Sequence, residues 1–442
     1  MNRTVVAAVA AAIALLAGCT SSTPPQATSA ATVTATPSRA HVVIHVDHPS
    51  ALVDVSLHIT VTGLAPEATV TVEAQTTEAT GKRFESQASF TAGGDGVVDL
   101  ASDAPSSGSY SGVDPMGLFW SMAPLHPGPN GYFDVLQHDG QTVTLTVTAG
   151  GATLARRSVV RRPVSPGVSV RRLRPARVGF YGNYYAAPDV SSPGPAILLF
   201  GGSEGGLSTT FSAGLLASDG YPTLALAYFD EPGLPRYLQR IPLEYFVAAL
   251  RWLSRQPGVD PHRLVVWGVS RGGEAALLLG AHFPALVRGG VVAMVGSNVV
   301  LCSIPHRNLS SWTLAGKELP CSYYFGPGTL GRPEVAIPVE DIRAPVFMVC
   351  GGQDDVAPSC PMDQAMKLRL EAHHHPYRDM LLDYADAGHG VGMPVPYDPF
   401  RVDVIGGHFL VSGKSLEGAT PDANARARET AWPKLLDFLA RI

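Results

Sequence analysis

The order of apolar segments in the second half of the chain restricts the fold more than any other feature. Continuous apolar runs at residues 196–200 and 223–228 are separated by a glycine-rich turn and a segment with helical spacing. A helix over residues 242–256, a strand over 264–269 and a helix over 271–282 continue the alternation. Strands that lack polar alternation are buried on both faces, and strands that alternate with helices pair in parallel. The pattern predicts a doubly wound, mostly parallel sheet covered by helices.

Later segments extend the same order. Strands are predicted at residues 291–295, 346–349 and 380–384, and a closing helix at 423–442. Residues 297–340 are rich in proline, glycine and aromatic side chains and do not fit the alternation. We therefore expect an insertion there, near the functional site.

The first half of the chain has a different period. Short β-branched or alternating segments, such as residues 42–46, 53–59 and 143–147, are separated by glycine, proline and aspartate turns. This pattern predicts an antiparallel β-sandwich over residues 40–163. A basic, proline-containing stretch over residues 161–174 is expected to be a solvated connector to the second domain.

The amino terminus is typical of a bacterial lipoprotein signal. Arg3 precedes an apolar run over residues 5–17, and Leu16-Ala17-Gly18-Cys19 closes it. The run is shorter than the roughly 20 residues that span a bilayer. We expect a signal peptide over residues 1–18, a lipid on Cys19, and anchoring to the outer face of the bacterial cell membrane. A plain signal peptide is the alternative.

Residues 20–39 are mostly Ser, Thr, Ala and Pro with almost no charge, which predicts a flexible linker over residues 19–39. A chain of 442 residues leaves room for two domains, so residues 164–442 are assigned to the second. The net charge of -5 and the absence of a basic run with interleaved aromatic residues argue against nucleic acid as a partner.

The cysteines agree with export. Cys302, Cys321, Cys350 and Cys360 form an even set that is compatible with disulfides in an oxidising compartment. Three pairings are possible, and sequence proximity favours Cys302 with Cys321 and Cys350 with Cys360. Four free thiols remain the alternative.

A serine lies where the buried strand at 264–269 meets the following helix. Gly268-Val269-Ser270-Arg271-Gly272 matches the G-x-S-x-G pattern, and its strand-turn-helix context is that of a nucleophile elbow. The glycines permit a strained backbone and close packing of helix on strand. Ser270 is therefore the candidate nucleophile, and a structural serine in a turn is the alternative reading.

A serine hydroxyl needs a base and an acid, expected in the chain order Ser, Asp, His. The predicted strand at residues 346–349 ends in a loop with two carboxylates, Asp354 and Asp355. Asp355, three residues after Gly352 and three before Pro358, better matches the usual acid position. Asp354 is expected to cap a turn or helix.

His389 is the candidate base. It lies in Gly388-His389-Gly390, in the loop that follows the last predicted strand. His408 is the next candidate but lies late in the chain. The histidines at 373–375 end a predicted helix without a second ligand cluster, so no metal site and no cofactor are expected.

The negative intermediate needs hydrogen-bond donors. One is the backbone N–H of Arg271, and the other is expected from the glycine-rich turn after the first strand, at Gly202 or Ser203. A plain turn without a catalytic role is the alternative for that segment.

These residues resemble the acyl-CoA thioesterase and bile acid-CoA:amino acid N-acyltransferase (BAAT) family. The resemblance extends over nearly everything after residue 40 and is carried by residues 112–122, 200–202, 224–229, 268–272, 352–355 and 387–389. It implies an immunoglobulin-like antiparallel β-sandwich followed by an α/β hydrolase with the triad Ser270, Asp355 and His389.

The resemblance also implies the chemistry. Family members that transfer acyl groups to amino acids have cysteine at the nucleophile, so Ser270 favours hydrolysis of acyl thioesters or related esters. Free acyl-CoA should be scarce outside the membrane, so an exported relative could act on a different acyl carrier. An acyltransferase and a catalytically inert surface binding lipoprotein are the alternatives.

Overall fold

The computed structural model describes residues 41–78, 81–126, 140–188, 192–304, 306–323, 332–393, 395–397 and 418–442. Residues 41–442 form one compact unit. The predicted signal peptide, Cys19, the linker at 19–39 and His408 lie outside the described residues. Within those described ranges no helix has the length and apolarity needed to cross a membrane.

Two sheets make up the amino-terminal part. Their elements are β1 (Val43–Val46), β2 (Ser50–Leu52), β3 (Ile59–Thr62), β4 (Thr69–Thr77), β5 (Arg83–Thr91), β6 (Val98–Asp99), β7 (Ser107–Gly108), the short helix α1 (Gly117–Trp120), β8 (Ala123–Pro124), β9 (Gln141–Ala149) and β10 (Ala152–Arg162). One sheet has the order β1-β3-β6, and the other has β2-β10-β9-β4-β5-β7 with β8 beside β5. The pairs are antiparallel except β2 with β10.

The two amino-terminal sheets share one apolar core. Side chains along β4 and β5 alternate between buried and more exposed positions, as expected for strands with one face against a core. Val61 of the smaller sheet and Phe84 and Leu145 of the larger sheet belong to the same buried cluster. The predicted alternation thus produces two sheets packed face to face.

Two predictions for this part are partly wrong. Of the predicted strand at 53–59 only Ile59, the first residue of β3, is in a strand. Residues 53–58 are not, because the chain turns between β2 and β3 and the Arg161 guanidinium donates to the carbonyls of Val53 (2.8 Å) and Val55 (2.7 Å). The stretch at 161–174 is exposed over much of its length, as predicted, but it is not merely a linker, since it contains the edge strand β11 (Ser169–Leu173), which pairs with the next strand. There Arg171 stacks on the ring of Trp252, 4.7 Å from its centre.

An eight-stranded sheet organises the rest of the chain. Its strands are β11, β12 (Tyr181–Ala186), β13 (Gly194–Phe200), β14 (Thr223–Ala227), β16 (Val259–Val269), β17 (Gly290–Met294), β20 (Val346–Gly351) and β21 (Met380–Tyr384), in the order β11-β12-β14-β13-β16-β17-β20-β21. β12 runs antiparallel to both of its neighbours, and the other pairs are parallel. This mostly parallel sheet is that of an α/β hydrolase.

Helices and turns cover both faces of this sheet. They are α2 (Pro175–Val178), α3 (Thr210–Ser218), α4 (Leu243–Leu253), α5 (Arg271–His282), the 3-10 turn Val339–Asp341, α6 (Ser359–Ala372), the 3-10 turn His389–Gly392 and α7 (Pro421–Ala440). Alternate residues of the buried strands face opposite sides: Val266 packs in one core cluster, and Val265 and Trp267 pack in the other. This two-sided burial explains why the strands are continuously apolar.

The predicted insertion packs beside the start of α5. It contributes β18 (Trp312–Leu314) and β19 (Lys317–Glu318), which form a small sheet with β15 (Ile241–Pro242). A disulfide joins Cys302 to Cys321 within it. A second disulfide joins Cys350 at the end of β20 to Cys360 at the start of α6.

The last helix connects both parts of the compact unit. Ala425 of α7 belongs to the core of the amino-terminal sheets. About two turns further on, the Trp432 indole donates to the Asp54 carboxylate (3.1 Å) and packs against Trp267 of the large sheet. The two sheet systems therefore meet through α7.

Candidate active site

Four loops meet at one edge of the large sheet. The turn at residues 201–206 follows β13, Ser270 follows β16, Asp354 follows β20 and His389 follows β21. Because these strands are parallel, their carboxyl ends lie at the same edge. The topology brings together residues that are more than 180 positions apart in the chain.

Ser270 has the strained backbone of a nucleophile elbow. Its φ is 55° and its ψ is -117°, a conformation that non-glycine residues rarely adopt. The flanking glycines are required by close approach: a Cβ on Gly268 would overlap the carbonyl of Gly272, and a Cβ on Gly272 would overlap the carbonyl of Gly201. The Ser270 N–H donates to Met294 O (2.8 Å), which fixes the turn on β17.

His389 is paired with a carboxylate. Its Nδ1 lies 2.8 Å from Oδ2 of Asp354, and the Asp354 side chain is 1% exposed. The Ser359 hydroxyl donates to the same oxygen (2.7 Å), and the N–H groups of Val356 and Ala357 donate to Oδ1 (2.9 and 3.0 Å). Burial alone would raise the pKa of Asp354, but His389 and these donors outweigh it, so the pKa is lowered.

The prediction that Asp355 holds the histidine is wrong. Asp355 is exposed, whereas the neighbouring Asp354 points inward. The turn after β20 directs Oδ1 of Asp354 toward backbone N–H groups of its own loop, as was expected of a capping residue. Its other oxygen, Oδ2, contacts the imidazole. Capping the turn and binding His389 are therefore done by one side chain.

The turn that carries His389 is held between the elbow and α7. Gly392, in the same 3-10 turn, packs so closely on the elbow that a Cβ there would come within 3.2 Å of Val269 Cγ1. On the other side, the N–H of Gly388 donates to Asn424 Oδ1 of α7 (2.7 Å). The turn that carries His389 thus lies next to the strand end that precedes Ser270.

The glycine-rich turn after β13 is held from beneath by Tyr228. The buried hydroxyl of Tyr228 donates to the carbonyls of Gly201 (2.8 Å) and Gly202 (3.0 Å). The N–H of Gly202, which with Ser203 was a candidate for the second oxyanion donor, donates to the carboxylate of Glu204. The sequence contains no signal for the role of either Tyr228 or Glu204.

A buried ion pair fixes the insertion on the elbow helix. Arg271 Nε lies 2.8 Å from Glu274 Oε2, and both side chains are almost fully buried. The Arg271 guanidinium also donates to the carbonyl of Leu301 (2.9 Å), and Glu274 accepts from the Leu301 N–H (2.8 Å) and the Trp312 indole (2.6 Å). Only the backbone N–H of Arg271 was predicted to take part in the site. Glu274, the acidic residue in the first turn of the predicted helix, was a signal in the sequence for this ion pair.

The described residues contain one compact group of potential metal ligands, Cys350, Cys360 and Asp383. The two sulfurs are bonded to each other, so they are not available as thiolate ligands. His375, from the histidine run, has its Nδ1 2.6 Å from Asp379 Oδ2. Both groups are thus engaged by partners within the chain.

Comparison with known proteins matches both parts of the chain to one family. Residues 54–175 match the acyl-CoA thioester hydrolase/BAAT amino-terminal region, and residues 241–315 and 327–442 match the BAAT/acyl-CoA thioester hydrolase carboxyl-terminal region. Acyl-coenzyme A thioesterase 1 of Rattus norvegicus is 31% identical over 403 residues, which cover 87% of this chain and 93% of the relative. This chain belongs to the acyl-CoA thioester hydrolase/BAAT family.

Other members of the acyl-CoA thioester hydrolase/BAAT family match equally well. The peroxisomal succinyl-coenzyme A thioesterase of Mus musculus is 30% identical over 411 residues, covering 88% of this chain and 93% of the relative. A solved structure assigned as a dienelactone hydrolase of Klebsiella pneumoniae has a TM-score of 0.42 and 18% identity, covering 62% of this chain and 99% of that one. The predicted family resemblance is confirmed, and the chain is an enzyme of this hydrolase family.

Proposed function

We propose that this enzyme is a serine hydrolase that cleaves acyl thioesters or related acyl esters through a Ser270-His389-Asp354 triad. The observation that carries the proposal is the 2.8 Å contact between His389 and the buried Asp354, at the sheet edge that also bears the strained Ser270. A histidine whose Nδ1 is bound to a carboxylate keeps its other nitrogen available as a base.

The reaction follows from these roles. His389 Nε2 accepts the Ser270 hydroxyl proton as Oγ bonds to the acyl carbon, and Asp354 stabilises the imidazolium. The tetrahedral intermediate collapses, and the leaving thiolate or alkoxide takes the proton from His389. Water then gives a proton to His389 and attacks the acyl-enzyme, which releases the acid and restores the Ser270 hydroxyl. The N–H groups of Arg271 and of the turn at 201–203 stabilise the oxyanion.

Hydrolysis is favoured over acyl transfer. The oxygen ester formed on Ser270 is attacked by water more readily than it is intercepted by an amine, whereas a cysteine thioester suits transfer to amines. The acyltransferase alternative predicts a new product with glycine or taurine as acceptor. An inert surface binding protein does not require a histidine paired with a buried acid beside a strained serine.

We further propose that the protein is exported and anchored by a lipid on Cys19, with an immunoglobulin-like sandwich over residues 40–163 and the hydrolase domain over 164–442. Two disulfides in the described residues support an oxidising compartment. The acyl carrier there is a lipid or wall-associated ester or thioester. Incorporation of an alkynyl fatty acid should be lost in Cys19→Ser, and continued labelling would contradict the anchor.

The triad is tested by labelling the full-length protein with a fluorophosphonate probe. Ser270→Ala should abolish labelling and the turnover of p-nitrophenyl esters without changing the melting temperature. Ser102→Ala removes the same hydroxyl group from an exposed turn and serves as the matched control. Labelling that persists in Ser270→Ala would refute the nucleophile.

The substrate class is tested with a panel of CoA thioesters and p-nitrophenyl esters of increasing acyl length, with and without glycine or taurine. Hydrolysis predicts release of free acid at a rate that the acceptors do not change. An acceptor-dependent amide product would favour the acyltransferase. If the enzyme hydrolyses neither the CoA thioesters nor the p-nitrophenyl esters, both substrate assignments are wrong.

A further inference from the structure

The Glu204 carboxylate accepts a hydrogen bond from the Gly202 N–H, which is the backbone donor that the reaction needs for the oxyanion. Its two oxygens lie 2.9 and 3.0 Å from the N–H nitrogen of Gly202, and the Ser208 hydroxyl donates to it from the outer side (2.5 Å). Hydrogen bonds to an ionised acceptor are about twice as strong as neutral ones. The Gly202 donor is therefore engaged in the free enzyme.

The engaged carboxylate lies on the same side of Gly202 as the nucleophile. The position where a Cβ on Gly202 would sit is 2.9 Å from Ser270 Cβ and 3.1 Å from Glu204 Oε2. Ser270 Cβ and Glu204 Oε2 therefore lie at most about 6 Å apart. An acyl carbonyl whose oxygen accepts from the Gly202 N–H while its carbon meets the Ser270 hydroxyl takes the position of the Glu204 carboxylate.

The backbone of the turn is fixed, so the side chain of Glu204 is the part that can move. Tyr228 holds the carbonyls of Gly201 and Gly202, and in a trans peptide the N–H of the following residue points away from its carbonyl. The Gly202 N–H is thereby directed away from Tyr228 and toward Glu204. Glu204 itself is only partly buried, so its side chain borders solvent.

We propose that Glu204 is a latch on the oxyanion hole, which binds the Gly202 amide in the free enzyme and is displaced when the acyl carbonyl binds. A carboxylate and an oxyanion compete for one donor, and their like charges repel, so both cannot occupy the site. Glu204 is a positioning residue that keeps the donor oriented and engaged until substrate arrives. The inference rests on the proposed function of Ser270.

The latch is tested with an alkyl trifluoromethyl ketone, which forms a hemiketal oxyanion on an active serine. Glu204→Gln and Glu204→Ala should both bind it about tenfold more tightly than the wild type, because a charge-assisted hydrogen bond no longer competes. Ser208→Ala, which loosens the carboxylate from its outer side, should tighten binding in the same direction by less.

The matched control is Glu231→Gln. Glu231 lies on the neighbouring loop, near Gly206, and its change removes an equal charge without touching Gly202. Its ketone affinity should stay at the wild-type value. If it tightens as much as Glu204→Gln, general electrostatics explains the effect and the latch is overturned.

Two other outcomes also overturn the latch. Unchanged or weaker ketone binding in both Glu204 variants means that the carboxylate does not compete with the oxyanion. Tightening in Glu204→Gln alone means that the new amide acts as a donor. Fluorophosphonate labelling of the wild type separates these results from failure of the proposed function, since an unlabelled wild type indicates that Ser270 is not the nucleophile.

Discussion

Two adjacent aspartates have opposite environments. Asp354 is bound by His389 and three further donors, whereas Asp355 is exposed. Asp354→Asn should lower kcat by about 10⁴-fold, because an amide in place of the carboxylate favours the wrong imidazole tautomer. Asp355→Asn is the matched control and should retain wild-type kcat. Steady-state turnover of a p-nitrophenyl ester measures both, and a larger loss in Asp355→Asn would reverse the assignment.

The site was predictable in part. Ser270 and His389 could be selected because strand order and glycine motifs restrict where a nucleophile and a base can lie. The choice between the two aspartates depends on the direction of one turn, which is set by hydrogen bonds from Val356 and Ala357 and has no marker in a Gln-Asp-Asp sequence. Glu204 and Tyr228 act on backbone groups, which a side-chain motif does not reveal.

A second buried carboxyl lies behind the acid. Asp363 is fully buried, and neither of its oxygens has a hydrogen-bond partner among the residues the structure describes. Burial raises the pKa of Asp363 well above its usual range, and the charges of Asp354 and Asp383 raise it further. The folded state thus retains a proton that the unfolded chain releases near pH 4.

The sign of the resulting pH dependence is fixed by this raised pKa. Stability from Asp363 is complete below the unfolded pKa and declines as the pH rises toward the folded pKa. Asp363→Asn cannot ionise, so its melting temperature relative to wild type should be higher at pH 8 than at pH 5. Asp355→Asn, which removes an exposed carboxylate, should show little change between the two pH values. If the melting temperature of Asp363→Asn minus that of the wild type falls from pH 5 to pH 8, the burial argument is contradicted.

At the level of elements, the elbow helix and the insertion depend on one ion pair. Glu274→Gln should reduce the free energy of unfolding by about 3 kcal/mol or more, because it leaves Arg271 as an uncompensated buried charge. Glu371→Gln disrupts the exposed pair with Lys367 and should cost about 0.5 kcal/mol or less. Urea denaturation measures both variants. Equal losses would show that the buried pair is not what holds the insertion.

Strands and helices of the large sheet were predicted well because continuous apolar runs leave few alternatives. The helix at 271–282 has the predicted bounds. Residues 53–59 alternate as a strand does, but tertiary contacts to Arg161 divert them into a turn. Conversely, the charges of β11 suggested a linker, because its arginines are exposed and a sequence does not show that an exposed arginine also stacks on an aromatic ring in an edge strand.

At the level of the whole molecule, the amino-terminal sheets and the hydrolase sheet should unfold together. Phe90 is fully buried in the amino-terminal core, and Phe90→Ala should cost about 3–5 kcal/mol. Because α7 packs into both parts, this variant should lose esterase activity at the same lowered temperature at which its fluorescence transition occurs. Thr91→Ala, at the adjacent exposed position, should behave as the wild type. Activity that survives the first transition of Phe90→Ala would indicate independent domains.

The contact between Gly388 and Asn424 links the turn of the proposed base to α7. The same helix packs into the core of the amino-terminal sheets through Ala425. A distortion of that core that shifts α7 would therefore be transmitted to the His389 turn, so the first part of the molecule takes part in positioning the imidazole without contributing a side chain to the reaction.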